Sequence, residues 1–294
     1  MTDVGIIITT YGKSRLWENA VLSVVNQSAN NITVVLSDDG TPEFDINEAY
    51  NKIMSIGGNR LREVVVRKNN KNLGTVKNVN LAIQELKTKY LLLLAGDDEL
   101  YDKDVIEKYV KVMEAQSEYK AIVGQSVDFS YDMQTMLGQK DEDSIYDKKF
   151  ALLDKSGNDL FTALSKKCFI PSSGMMYRKN FLEEINWFNE KYKLVEDWPV
   201  FLKMARNGYR IYYAKAISVK HRIGGVSSAN LFARKQYIYQ TDLVNIIDVE
   251  ILPNINLILG KEQENILQLC NDKKKIYFFR YKFKDLTFIE HLGY

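Results

Sequence analysis

An α/β architecture is what this sequence predicts: a mostly parallel central sheet with helices on both faces, followed by a helical C-terminal extension. Three observations carry it. The first half of the chain alternates short apolar runs with amphipathic segments, giving four strand–helix units in succession, and such alternation predicts a parallel sheet covered on both sides. Polar clusters stand just after the apolar runs, where open sheets of this kind bind ligands outside the carboxyl ends of their strands. The chain has 294 residues, enough for one large core, since roughly three quarters of the unfolded surface is removed at this size.

Each element has its own local reason. Val4 to Thr9 is an apolar run ending in polar residues and reads as a buried strand. Ser14 stands as N-cap of a helix with Leu16, Ala20, Val21, Val24 and Val25 on one face. Ile32 to Leu36 is a second strand, stopped by Ser37-Asp38-Asp39-Gly40. A helix from about Asp45 to Ile56 follows, and Gly57-Gly58 ends it. Leu61 to Arg67 is a third strand. Thr75 to Leu86 reads as a helix with Val76, Val79, Ile83 and Leu86 in register. Tyr90 to Ala95 is the fourth strand and runs into Gly96-Asp97-Asp98. Asp104 with Glu107 reads as a capping box for the helix through Met113.

Beyond Tyr119 the pattern is less regular. Ala121 to Phe129 reads as a strand, and the polar stretch Asp132 to Lys149 as a mobile loop. A helix after Glu196-Asp197-Trp198-Pro199 carries Phe201, Leu202 and Ala205 and ends at Asn207-Gly208. From about Asn230 the chain reads as helices with one break at Pro253.

Composition excludes several function classes. Forty Lys and Arg against 38 Asp and Glu leave a net charge of +2. That balance argues against a duplex-DNA binder, which carries an excess basic face, and no nucleic-acid partner is expected. The apolar run Tyr90 to Ala95 is far shorter than the about 20 residues of a membrane-spanning helix. The N-terminus has neither the basic start nor the apolar stretch of a signal peptide. Two cysteines cannot build a disulfide framework and fit a reducing cytoplasm. With 2 histidines, acid–base and metal chemistry falls to carboxylates.

Four clusters could carry such chemistry, and each has a plainer reading beside it. Asp97-Asp98 could hold Mg²⁺ or Mn²⁺ through oxygen, with substrate phosphates completing the shell; it is also an ordinary solvated turn before a helix. Asp38-Asp39-Gly40 is a turn signal, yet a carboxylate there could accept the N3–H of a uracil or thymine ring, with Tyr11 stacking on the base. Asn72-Leu73-Gly74 opens a helix whose N-terminus favours a diphosphate, and Lys77 lies one turn further in. Glu196-Asp197-Trp198 pairs carboxylates with a ring that can stack on a sugar face, which suits a general base; Asp197 with Pro199 is equally good N-cap chemistry. His221 is either a metal ligand or a satisfied structural histidine. Neither G-x-G-x-x-G nor G-x-x-x-x-G-K-[ST] is present, against a dehydrogenase or a P-loop NTPase.

Taken in order, Thr9-Thr10-Tyr11-Gly12, Ser37-Asp38-Asp39-Gly40-Thr41, Asn72-Leu73-Gly74, Ala95-Gly96-Asp97-Asp98 and Glu196-Asp197-Trp198 resemble the motifs of glycosyltransferase family 2, the inverting enzymes of the Rossmann-like GT-A fold. The resemblance covers about Val4 to Ser228. It implies a GT-A domain over 1–228, with a nucleotide-sugar half over 1–120, an acceptor half over 121–228 and the extension over 229–294. It also implies roles. Asp39 binds the base, Asp38 being the weaker candidate, and Thr9 and Tyr11 line the base and ribose pocket. Asn72, Gly74, Lys77 and Arg222 face the diphosphate. Asp97 and Asp98 hold ribose and metal, with Asp98 favoured for the metal and His221 beside it. Asp197 is the catalytic base with Glu196 as its neighbour, and Trp198 meets the acceptor.

The chain departs from the family pattern in places. Ala95 stands at the first Asp of DxD, Gly12 at the usual Asn, Val79 at the usual Arg, and His221 at the usual Tyr of Y-R-x-x-x-x-S. The implied activity is metal-dependent hexosyl or N-acetylhexosaminyl transfer from a UDP-sugar, dTDP being the alternative nucleotide. The implied acceptor is a bacterial glycan or a lipid-linked oligosaccharide of capsule or lipopolysaccharide synthesis. Residues 273–284, KKKIYFFRYKFK, interleave basic and aromatic side chains as expected for peripheral contact with the inner face of the cell membrane; a helix packed on the domain gives the same letters. A non-catalytic nucleotide-sugar or glycan binder on the same fold is the competing reading. A nucleotidyltransferase needs a Gly-rich basic loop that Thr10 to Ser14 does not supply.

Overall fold

The computed structural model describes residues 3–12, 14–137, 150–155, 157–224 and 233–278. Eight strands form one sheet: β1 (Val4–Thr10), β2 (Ile32–Asp38), β3 (Glu63–Lys68), β4 (Tyr90–Ala95), β5 (Glu99–Leu100), β6 (Tyr119–Phe129), β7 (Met176–Arg178) and β8 (Arg210–Arg222), in the order β3-β2-β1-β4-β7-β6-β8-β5. The β3-β2-β1-β4 half is parallel throughout. β7 is antiparallel to both neighbours. β6 and β8 are parallel, and the short β5 closes the edge antiparallel to β8. The expected mostly parallel sheet is present; its antiparallel strands are β7, from the irregular second half, and the two-residue β5.

The period-2 alternation of β1 sorts its side chains between two cores. Ile6 and Ile8 pack with Trp17, Ala20, Val21 and Val24 of α1 (Trp17–Val25), Ile53 of α2 (Ile46–Ser55) and Met113 of α4 (Val105–Ala115). Ile7 faces the other way, onto Val76, Val79 and Ile83 of α3 (Thr75–Ile83). That second core also takes α5 (Asn158–Lys166), α6 (Lys179–Glu184) and α7 (Asp197–Arg206). It extends into the C-terminal helices α8 (Ala233–Ile246) and α9 (Lys261–Tyr277) through Ile246, Ile266 and Cys270. The extension therefore shares the main core. Between α8 and α9 lie a π-helical turn, Ile247–Ile251, and a 3₁₀ segment, Leu252–Leu257, that contains Pro253.

Local capping differs from expectation in two places. Leu16, not Ser14, is the residue before α1, and the Ser14 hydroxyl instead accepts the Leu16 N–H at 3.3 Å, two residues too early to cap the helix. Asp104 precedes α4 without a capping side-chain bond. Asp102 takes the Asp104 N–H at 2.8 Å, and Glu107 accepts from Ser28, beyond the end of α1, at 2.7 Å, so a local and a distant partner together displaced the capping box. Asp45 does cap α2, accepting the Glu48 N–H at 2.8 Å. Of the stretch read as a loop, 138–149 lies outside the described residues.

The aromatic–basic C-terminal stretch is described as far as 278, and this part packs on the domain. Lys273 donates to the Lys166 carbonyl at 3.0 Å, Lys274 pairs with Asp248 at 2.6 Å, and Tyr277 meets Thr241 at 2.9 Å. Residues 279–284 lie outside the described residues. No helix among the described residues is long and apolar enough to cross a membrane.

Candidate active site

The carboxyl ends of β1, β2 and β4 lie side by side: Thr10 pairs with Asp38, and Thr9 with Ala95. Asp38 closes the loop after β2. Its Oδ1 accepts the N–H groups of Gly40 (3.0 Å) and Thr41 (2.7 Å), and its Oδ2 accepts the Thr41 hydroxyl (2.7 Å). Thr41 Oγ1 in turn accepts the Gly12 N–H at 2.8 Å. Asp38 is thus a buried scaffold for the Tyr11-Gly12 corner rather than a ligand group. Tyr11 itself is 47% exposed, open to stacking on a ring. Thr9 is half-buried beneath it, and its carbonyl accepts the Gly96 N–H at 2.9 Å.

Asp39 sits at the junction of this corner with α3. Its Oδ1 accepts from Asn69 Nδ2 at 2.8 Å and from Leu73 N at 2.9 Å, and its Oδ2 from Gly74 N at 2.9 Å. Burial pushes its pKa up, while the Leu73, Asn69 and Gly74 hydrogen bonds pull the other way. The α3 N-terminus is consequently occupied from inside the protein. Gly74 N–H points at Asp39, and the Val76 N–H donates to the Lys193 carbonyl at 3.2 Å. The expected diphosphate contact at Gly74 is corrected on this ground. Gly74 has φ +92°, and a Cβ there would stand 2.4 Å from Lys193 O. Gly74→Ala should therefore destabilise the fold by about 1–3 kcal/mol; an unchanged melting temperature would show that the backbone there accommodates a side chain. Asn72 is exposed beside it. Lys77 is also exposed, 3.6 Å from Glu190, a solvent-screened pair.

Sequence reasoning missed the support under Asp39. Arg67 donates to Asn69 Oδ1 at 2.7 Å and to Asn78 Oδ1 at 3.1 Å, and Asn69 donates to the same Asn78 oxygen at 2.9 Å. The available signal was Asn78, which with Asn80 interrupts the apolar residues Val76, Val79, Ala82 and Ile83 on the buried side of α3.

The second cluster is assembled by the β5–β8 pairing, which draws the turn after β4 against the end of β8. Asp98 is 1% exposed. Its Oδ1 lies 2.9 Å from His221 Nδ1 and accepts the Arg222 N–H at 3.1 Å. Its Oδ2 is buried and has no hydrogen-bond partner among the described residues. The Asp98 bond pushes the His221 pKa up, against desolvation. Asp97 is half-buried, and its pKa is raised by burial and then by the Asp98 charge. Arg222 is 3% exposed and fully engaged. Its Nε donates to the Asp97 carbonyl at 2.9 Å, Nη1 to the Tyr131 carbonyl, and Nη2 reaches Glu99 at 3.4 Å. The guanidinium props up the carboxylate turn, which corrects its expected role as a diphosphate contact.

No group of three or more His, Cys, Asp or Glu side chains gathers as a metal cage among the described residues. Asp98 and His221 nevertheless fit a hard divalent cation that takes one or two protein groups and completes its shell from phosphates and water. An unpartnered buried carboxylate oxygen costs free energy until something positive meets it.

The third cluster follows a loop joined to the second. Gly174 N donates to Leu93 O at 2.7 Å, and Ala95 N to Ser173 Oγ at 3.3 Å, so residues 172–174 line the end of β4. Ser172 hydrogen-bonds the Glu196 carboxylate on the far side. Glu196 and Asp197 are half-exposed. Burial raises the pKa of both, and the Asp197 charge raises Glu196 further, which leaves Asp197 as the ionised member. Asp197 is the first residue of α7, not its N-cap: Oδ1 accepts the Trp198 N–H at 2.7 Å. Burial first, and then the nearby Asp197 charge, raise the pKa values of Cys168, Tyr177 and Tyr239, and sequence reading gave no sign of this neighbourhood.

Trp198 does not face an acceptor. It is 5% exposed, its Nε1 donates to the Leu164 carbonyl at 2.9 Å, and Lys273 covers its ring at 5.7 Å. The ring fills the core because position 198 lies on the inward face of α7. The expected stacking on a sugar is corrected accordingly.

A mostly parallel eight-stranded sheet flanked by helices, with acidic clusters at the ends of β2 and β4, is the architecture of the GT-A class of glycosyltransferase folds. Comparison with known proteins agrees. The family model described as Glycosyl transferase family 2 matches residues 5–185, more than half of the chain, and the protein belongs to that family. The matched span stops short of Glu196-Asp197.

An uncharacterized glycosyltransferase of Haemophilus influenzae is 22% identical over 79% of this chain and 69% of its own length. The O-antigen chain rhamnosyltransferase RfbN of Salmonella typhimurium is 24% identical over 74% of this chain and 66% of its own. Against two uncharacterized Rickettsia glycosyltransferases the match spans only 34% and 29% of the relative. Among solved structures, the Pyrobaculum calidifontis mannosyltransferase PcManGT, in complex with GDP-Man and Mn²⁺, aligns with a TM-score of 0.64 at 14% identity, over 92% of this chain and 73% of that one. Staphylococcus aureus TarS 1–349 with UDP-GlcNAc aligns at 0.56 and 15%, over 92% and 80%. These likenesses show the fold.

Proposed function

We propose that this protein is an inverting glycosyltransferase that moves a sugar from a UDP-sugar to a hydroxyl of a glycan or lipid-linked oligosaccharide, with Asp197 as general base and a divalent metal at Asp98. The observation that carries the reading is the buried, unpartnered Asp98 Oδ2 beside His221, at the strand ends where the diphosphate of a nucleotide sugar would lie. A bound Mn²⁺ or Mg²⁺ would neutralise the departing diphosphate. The Pyrobaculum mannosyltransferase, solved in complex with GDP-Man and Mn²⁺, supports that chemistry. The Salmonella relative, an O-antigen chain rhamnosyltransferase, supports a surface polysaccharide as the product class, made in the cytoplasm or at the inner face of the membrane.

The chain's own residues then divide the work. Tyr11 offers a stacking face for the base, and Asp39, held rigid by three donors, presents the remaining acceptor site of Oδ2 to the uracil N3–H. Asp197 accepts the proton of the acceptor hydroxyl. The oxygen attacks the anomeric carbon from the face opposite the diphosphate, the bond to the diphosphate breaks, and the configuration inverts. Glu196, neutral when Asp197 is ionised, avoids a second charge at the site.

A thermal-shift screen of nucleoside diphosphates with and without Mn²⁺ tests donor and metal together. UDP with Mn²⁺ should stabilise the protein by about 2.7 kcal/mol at a hundredfold excess over Kd. A shift with GDP or dTDP alone would move the base assignment, and no shift with any nucleotide would sink the reading. Slow release of UDP from a panel of UDP-sugars without acceptor separates an enzyme from a non-catalytic binder.

A further inference from the structure

We infer that Asp242, on α8 in the C-terminal extension, is a positioning residue that holds the general base in place; the inference rests on the proposed role of Asp197. Oδ2 of Asp242 accepts three consecutive backbone N–H groups, from Lys193 at 2.9 Å, Leu194 at 2.6 Å and Val195 at 3.2 Å. Successive N–H groups converging on one anion form a nest, and bonds to an ionised acceptor are the stronger kind. The strap they fix leads directly into Glu196 and Asp197. Among its neighbours on α8, Tyr239, Leu243 and Ile246 pack into the main core. Asp242 is buried on that face and needs the strap to satisfy it.

The strap is tied at two further points. The Lys193 carbonyl accepts the Val76 N–H at the start of α3. The Tyr192 hydroxyl donates to Glu250 at 3.2 Å, and Glu250 pairs with Arg206 at 2.6 Å. The segment before Asp197 is therefore clamped between the nucleotide-side helix and the C-terminal helices. Asp39 keeps its own partners, Asn69, Leu73 and Gly74, none of which touches Asp242. Removing Asp242 should loosen the base while leaving the nucleotide corner intact.

The test uses the full chain, with UDP release from UDP-sugars and Mn²⁺ as the probe reaction and water in place of the acceptor. Asp242→Ala should lower kcat about 10²-fold, the scale of a misplaced reacting group, with donor KM and UDP affinity held within about twofold. Asp242→Asn, which keeps one acceptor oxygen, should recover part of the loss, and it carries the same readouts should the alanine variant fail to fold. Amide exchange at 193–195 should speed up in Asp242→Ala. Wild-type kcat in that variant overturns the inference, as does a parallel loss of kcat and UDP affinity, the mark of a generally loosened fold. Asp197→Asn in the same assay separates the two claims. If it still turns over, the base assignment has failed. If it is silent while Asp242→Ala runs at the wild-type rate, only the positioning role has failed.

Discussion

Asp197→Asn should abolish transfer, with kcat down about 10³-fold or more, the scale of a lost general base, while UDP binds as before. Asparagine keeps the shape and can still accept the Trp198 N–H that fixes the start of α7. What it loses is the ability to take a proton. Stability should not fall. The carboxyl pKa is raised by burial, so its ionised form opposes folding once the pH passes the unfolded value, and removing it also relieves the charge that raises Glu196. The same shift sets a pH limit in the wild type. A base must be ionised to work, so kcat/KM should fall on acidification at a pH above the ordinary carboxylate range. Transfer and calorimetric UDP titration on one preparation decide the matter; turnover in the variant would remove Asp197 from the mechanism.

Asp98→Asn has the second large effect, and it should separate function from stability. The variant keeps an oxygen for the Arg222 N–H and loses the negative charge on the unpartnered Oδ2. Without metal, its melting temperature should stay near or slightly below the wild type, because relief of the buried charge is offset by an unpaired amide and by the lost His221 pair. With Mn²⁺ and UDP, the metal-dependent part of the thermal shift should vanish. kcat/KM should drop about 10³-fold, since charge stabilisation of a leaving group by a metal is worth several kcal/mol. A preserved Mn²⁺-dependent shift would place the metal elsewhere.

Much of the fold was legible in the sequence because it is written in local periodicity. Ile6, Ile7 and Ile8 alternate between two cores as a period of two requires, and Asp45 caps α2 as its position implies. Errors occurred where a distant partner competed for the same group. Ser28 took the Glu107 carboxylate that a capping box would have used. Trp198 reads as a sugar platform beside two carboxylates, yet helical phase turns it into the core, where Leu164 accepts its N–H. Arg222 reads as a phosphate contact, yet its backbone and side chain are spent holding the Asp97-Asp98 turn.

The sequence by itself determined the strand–helix order of the first half, the placing of acidic pairs at the ends of β2 and β4 and at the start of α7, and membership in glycosyltransferase family 2. Those features depend on short spacings and residue chemistry. Tertiary structure alone decided which carboxylates are already satisfied and which are left open. Asp38 and Asp39 are both acidic letters in one turn, but one closes its own loop and the other joins α3 to that loop. Asp98 meets His221 only because β5 pairs with β8, and Asp242 meets the strap only because α8 folds back over the second core. The partners in these contacts lie far apart along the chain, so no local pattern can encode them, and burial sets the state of the charge that each one carries.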